Sequence, residues 1–157
     1  HYYGMQLAHI GVAVSLIGVI FVSMNSTETI VRMAPGDRVT VADYDFEFLG
    51  TRHVEGPNYT ADTGVINVFK DGKNIAQMLP QKRLYQARQQ MMTEAALNPG
   101  FTRDLYISLG ERLEDGAWGV RIYVKSFVRW IWLGGLLMMA GGLLAAWDKR
   151  YRRKTGD

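Results

Sequence analysis

The sequence predicts a membrane protein of mixed class (α plus all-β), with two transmembrane helices flanking a small antiparallel extracytoplasmic β barrel or sandwich. Two apolar runs, Met5 to Val22 and Trp130 to Trp147, contain no Asp, Glu, Lys or Arg. Roughly 18–20 apolar residues are enough for a helix to cross a bilayer core. Between them the pattern changes to short, β-rich alternating stretches separated by turn residues. The 48% hydrophobic composition is therefore gathered at the two ends, and the middle is polar. The organisation expected is a transmembrane helix over 1–24, an extracytoplasmic mainly-β domain over 25–127, a second transmembrane helix over 128–147 and a basic cytoplasmic tail over 148–157.

In the first helix the small residues Gly4, Ala8, Gly11, Ser15 and Gly18 recur at spacings of four and three, which gathers them on one narrow stripe. Such stripes let a second helix approach closely. His9 lies about 140° round the helix from Gly4 at 100° per residue, beside Met5, Val12 and Leu16, so it faces something other than the partner packed on the stripe. An ionisable side chain in a membrane span is costly and usually faces the bundle interior. His9 is the first candidate for function, with three readings: a ligand of haem or another metal, a proton relay, or an imidazole that simply hydrogen-bonds a backbone carbonyl or a neighbouring Ser. A relay needs further membrane carboxylates, and neither span has one. His1 lies roughly 12 Å along the axis from His9 and cannot complete a two-His site with it. His53 falls in the β domain. Any second ligand must come from another helix or chain, and contacts on two sides of this helix imply helices beyond the two seen here.

The middle begins after Asn25, with strand patterns over Thr29 to Met33, Arg38 to Val41, Tyr44 to Leu49 and Gly64 to Phe69. Asp71-Gly72, between VINVFK and NIAQML, is a two-residue hairpin signal, and Pro35-Gly36-Asp37 and Gly56-Pro57-Asn58 mark further turns. Ala87 to Leu97 has helix-forming composition but a MMTEAAL core that can equally be extended. Leu105 to Leu109 and Trp118 to Val124 make two more strands around a Glu111 to Gly116 turn. Six to eight strands in about a hundred residues close most economically as an antiparallel barrel or sandwich. Lys82-Arg83 and Glu111 to Asp115 read as solvated faces, and no Ser-His-Asp set, phosphate loop or paired-carboxylate spacing stands out.

Trp130 and Trp132 at one end of the second span and Trp147 and Tyr151 at the other form the aromatic belt of a membrane helix. Gly141 with Ala145 and Gly142 with Ala146 repeat the small-residue spacing, and Met138 and Met139 read as packing rather than ligating. The middle domain holds 12 basic and 13 acidic residues, whereas residues 148–157 hold 5 basic and 2 acidic, so the net +3 comes from the tail and Arg129. Lys149, Arg150, Arg152, Arg153 and Lys154 place the C-terminus in the cytoplasm by the positive-inside rule, and hence the β domain outside. No basic patch with interleaved aromatics argues for nucleic acid. With no cysteine, disulfides, thiolate metal sites and a Cys nucleophile are excluded. The N-terminus has neither an initiator Met nor a basic leader, which predicts a chain cut from something longer rather than a signal peptide.

The stretches GMQLAHIGVAV, QKRLYQARQQMMTEAAL, TRDLYISLGE and AWGVRIYVKSFVRWIWLGGLLMMAGG, in that order, resemble the C-terminal portion of the CcmF family of membrane haem lyases, over nearly the whole chain. The resemblance implies a part of the bacterial inner-membrane system that attaches haem to apocytochrome c, with lyase activity only in the complete complex. It implies a structural haem b with His9 as one axial ligand, the partner His lying on a helix outside this chain. It also implies as partners the remaining CcmF helices, the haem chaperone CcmE, and CcmH and CcmI with apocytochrome c, with quinol as an electron source. His53 matches none of the family's haem-handling histidines. The alternative, from a different class, is a two-span structural subunit that displays a β docking domain, without haem ligation by this chain.

Overall fold

A computed structural model of the protein describes residues 2–147. His1, the basic tail and Tyr151 lie outside the described residues. The chain divides into two units, one containing both helices and the other formed by Ser26–Lys125.

The helical unit pairs α1 (Tyr2–Asn25) with α2 (Val128–Trp147). Both are long and apolar enough to cross a membrane. They associate through glycines seven residues apart, Gly4, Gly11 and Gly18 on α1 against Gly134 and Gly141 on α2, all buried. A Cβ on Gly11 would stand 2.7 Å from the Gly134 carbonyl oxygen, and one on Gly141 would stand 2.6 Å from the Ala8 amide nitrogen. Only glycine permits that approach. Gly4 meets Gly141 and Ala145 while Gly18 meets Ile131, so the helices run antiparallel. The Ser15 hydroxyl donates across the seam to the Ile131 carbonyl at 3.2 Å. The stripe expected on α1 is therefore the contact with α2. On α2 the expected Gly141 and Ala145 lie in the seam and Gly134 joins them, whereas nothing approaches a Cβ on Gly142 of the second expected pair. Met138 packs against Gly11, in keeping with a packing methionine.

The second unit is a two-sheet sandwich of ten strands: β1 (Thr27–Met33), β2 (Arg38–Val41), β3 (Tyr44–Glu55), β4 (Tyr59–Lys70), β5 (Lys73–Met78), β6 (Gln81–Tyr85), β7 (Gln90–Glu94), β8 (Ala96–Pro99), β9 (Arg103–Arg112) and β10 (Trp118–Ser126). One sheet has the order β1-β10-β9-β8, and the other β2-β3-β4-β6-β7, with β5 also paired to β4. Alternation decides which face is buried: Phe46 and Phe48 on β3, Ile66 and Val68 on β4, Leu105, Ile107 and Leu109 on β9, and Trp118, Val120 and Ile122 on β10 form the core. The Asp71-Gly72 turn joins Lys70 to Lys73 with both φ positive, as a two-residue hairpin needs.

The described residues form ten strands where six to eight were expected, because single chain segments change partner midway. β5 and β6 both lie along β4, on Ile66–Lys70 and Tyr59–Thr63 respectively, and are separated by buried Pro80, which has no N–H to give to a ladder. Residues 87–97, open between helix and strand in the sequence, form the end of a turn, β7 and the start of β8. β7 pairs with β6 in one sheet and β8 with β9 in the other, the chain switching sheets at Ala95. Arg83 is not a solvated side chain: it is half-buried, lies 4.5 Å over the Tyr59 ring and bonds Gln81.

Truncating fully buried Phe48 to alanine should cost about 3–5 kcal/mol, whereas Ile30→Ala, on a residue 63% exposed, should stay within about 0.5 kcal/mol; thermal melts in detergent compare the two. Gly134→Val should weaken the helix pair by about 1–3 kcal/mol through overpacking, while Gly135→Val, whose Cβ meets nothing, should leave it unchanged. Titration with a denaturing detergent reads the difference.

Candidate functional site

α1 is apolar on every side, so each polar side chain it carries must find a partner or face one outside this chain. Ser23 and Asn25 donate back to the carbonyls four residues earlier, Val19 and Phe21. His9 does the same with one nitrogen: Nδ1 lies 2.7 Å from the Met5 carbonyl oxygen. A carbonyl can only accept, so the bond requires the proton on Nδ1. In the neutral imidazole that leaves the Nε2 lone pair free, and Nε2 has no partner among the described residues. A backbone bond that orients the ring and fixes its tautomer is the usual support of a metal-ligating histidine.

The imidazole stands exposed on α1, away from the glycine seam. Its neighbours on that side, Met5, Val12 and Leu16, are exposed apolar side chains. This face of α1 thus carries one outward nitrogen among apolar side chains. Among the described residues no group of three or more His, Cys, Asp or Glu side chains comes together.

His53, the other described histidine, sits on β3 opposite Asp62 of β4, with Nδ1 3.1 Å from the Asp62 carboxylate on the exposed surface. That is a cross-strand pair within the sandwich. The sequence pointed to His9 and to the stripe on α1; it missed Gly134, whose partner residues lie more than a hundred positions earlier and are visible only once the helices pair.

The family model described as "CcmF C-terminal beta-sandwich" matches residues 24–126. The cytochrome c-type biogenesis protein CcmF of Pseudomonas aeruginosa is 59% identical over 98% of this chain, which corresponds to 23% of that protein. CcmF of Escherichia coli is 49% identical over 98% of this chain and 24% of its own length. The chain thus spans about a quarter of the curated relatives it matches. A solved structure titled "Cytochrome c Heme Lyase CcmF" superposes with a TM-score of 0.74 at 17% identity, over 92% of this chain and 24% of that one, a likeness of fold.

Proposed function

The chain belongs to the CcmF family, and from that premise we propose that it is the C-terminal part of the membrane haem lyase that attaches haem to apocytochrome c, with His9 an axial ligand of an intramembrane haem b. The observation that carries the assignment is the orientation of His9, its Nδ1 held by the Met5 carbonyl and its Nε2 free on the exposed face of α1. The second ligand belongs to a helix beyond this chain. A haem held by His9 and a second histidine would supply one-electron chemistry, with quinol as the electron source. His9 would hold and orient that group, and the glycine seam would keep the imidazole on the open side of the pair.

In this reading the sandwich lies in the periplasm and the C-terminus in the cytoplasm of a bacterial inner-membrane protein. Lyase activity belongs to the complete complex with CcmE, CcmH and CcmI. The sandwich, which has no catalytic constellation among the described residues, serves as a docking element. One observation favours the other reading, a two-span docking subunit without ligation: the Met5 bond already satisfies one imidazole nitrogen.

Replacing His9 by Ala in the whole assembled protein should lower the haem b absorbance at least about tenfold, with partial recovery on adding imidazole and no change in the melt of the sandwich. Unchanged haem content would refute the ligand assignment. Because Thr27 pairs with Val124, a short linker can replace Ser26–Lys125 without separating the helices. That deletion should abolish copurification of the CcmH and CcmI partners while haem remains; retained copurification would rule out docking by the sandwich.

A further inference from the structure

We propose that the turn at residues 100–102 is a membrane-surface anchor, with the Phe101 ring seated in the phospholipid headgroup layer. The inference rests on the two membrane spans and on neither His9 nor the docking role of the sandwich.

Chain connectivity selects the end of the sandwich that meets lipid. α1 ends at Asn25 and β1 begins at Thr27, while β10 ends at Ser126 and α2 begins at Val128, so Ser26 alone joins the first span to its strand and Phe127 alone the second. Thr27 pairs with Val124, which puts both junctions at one end of the first sheet. The 20 residues of α2 rise about 30 Å, the depth of the hydrocarbon core. Each headgroup layer adds about 5–8 Å, and one extended residue covers at most about 3.6 Å. The first residue of β1 and the last of β10 are therefore within reach of that layer.

The turn before β9 shares this end. β9 and β10 are neighbours joined by the short turn at 113–117, in which the Leu113 N–H donates to the Ala117 carbonyl at 2.8 Å. They run antiparallel, so Arg103 starts β9 beside the end of β10, about 4.8 Å away across the ladder. The second sheet brings its own turns here. Arg103 Nε donates to the Tyr44 hydroxyl at 3.0 Å and Lys70 lies 4.9 Å over the Tyr44 ring, which places Ala42-Asp43 and Asp71-Gly72 at the same end. Phe101 is 66% exposed, and among the described residues of the sandwich no other aromatic side chain is exposed. The turns at the opposite end, 34–37, 56–58, 86–89 and 113–117, contain no aromatic residue.

The turn that presents the ring is firmly closed. The Gly100 N–H donates to the carboxylate of buried Asp104 at 3.0 Å, and Arg103 Nη1 donates to the Asn98 side-chain oxygen at 2.8 Å. A Cβ on Gly100 would stand 2.5 Å from the Arg103 carbonyl oxygen, so only glycine permits this closure. Aromatic rings collect at headgroup level, and lysine stems there lie along apolar surface with the ammonium outward. Lys125 supplies the second feature at this end, its Nζ 5.3 Å from the Tyr106 ring and 5.4 Å from that of Tyr123.

The test uses the full-length protein in nanodiscs of phosphatidylethanolamine and phosphatidylglycerol, with p-benzoylphenylalanine in place of Phe101 or, at the opposite end, of Glu114. Both positions are exposed, so neither replacement touches the core. After irradiation, peptide mass spectrometry reads what each benzophenone has captured. A shift by the mass of one phospholipid is expected at position 101, and no lipid adduct at 114. Three results would each overturn the proposal: no lipid adduct at 101, a crosslink from 101 to protein in place of lipid, or equal lipid adducts at both positions.

Discussion

The contact on which the helical unit depends is one without side chains. Gly11 and Gly134 bring two backbones together so closely that any Cβ would collide with a carbonyl or amide. In hydrocarbon there is no hydrophobic drive to pair helices, and close packing with an occasional interhelical hydrogen bond must supply it. The seven-residue glycine repeat supplies the first and Ser15 the second. Commitment of that stripe to α2 leaves the His9 side of α1 uncovered. The position of the imidazole is thus a consequence of packing elsewhere on the same helix.

The sandwich rests on a different principle. Its core is built by strict alternation, Phe46 and Phe48 facing Leu105, Ile107 and Leu109, and apolar burial of this kind needs no disulfide. Its irregularities come from segments that serve both sheets or two halves of one partner. Pro80 interrupts one and Ala95 the other, and at Ala95 the corner leaves a ladder half-used. Strand switching of this sort is how sandwiches make corners.

Much of this was legible beforehand. Two uncharged runs announced the helices, small residues at three and four announced the seam on α1, and period-two runs such as Trp118 to Val124 announced the inner strands. The Asp71-Gly72 hairpin followed from local turn chemistry alone. What was not legible depends on distant partners. QMMTE has no strand period of its own and becomes β7 because β6 offers a ladder, tertiary pairing overriding local preference. Arg83 leaves solvent because Tyr59 arrives beside it from β4. Gly134 matters only through Gly11. His9 was legible as an oddity, an imidazole in an apolar helix, but the nitrogen that faces outward follows from the Met5 bond.

The pairing of β1 with β10 bears on how the protein is made. These strands are neighbours in the sheet, yet Thr27 and Val124 are roughly a hundred residues apart in the chain, a contact of the slow, non-local kind. As the chain emerges from the membrane machinery, β1 must stay unpaired until nearly the whole domain has been synthesised. Its partner then arrives immediately ahead of α2. Completion of the first sheet and insertion of the second helix are therefore adjacent events in biosynthesis, and a delay in either leaves an exposed strand edge for chaperones to guard.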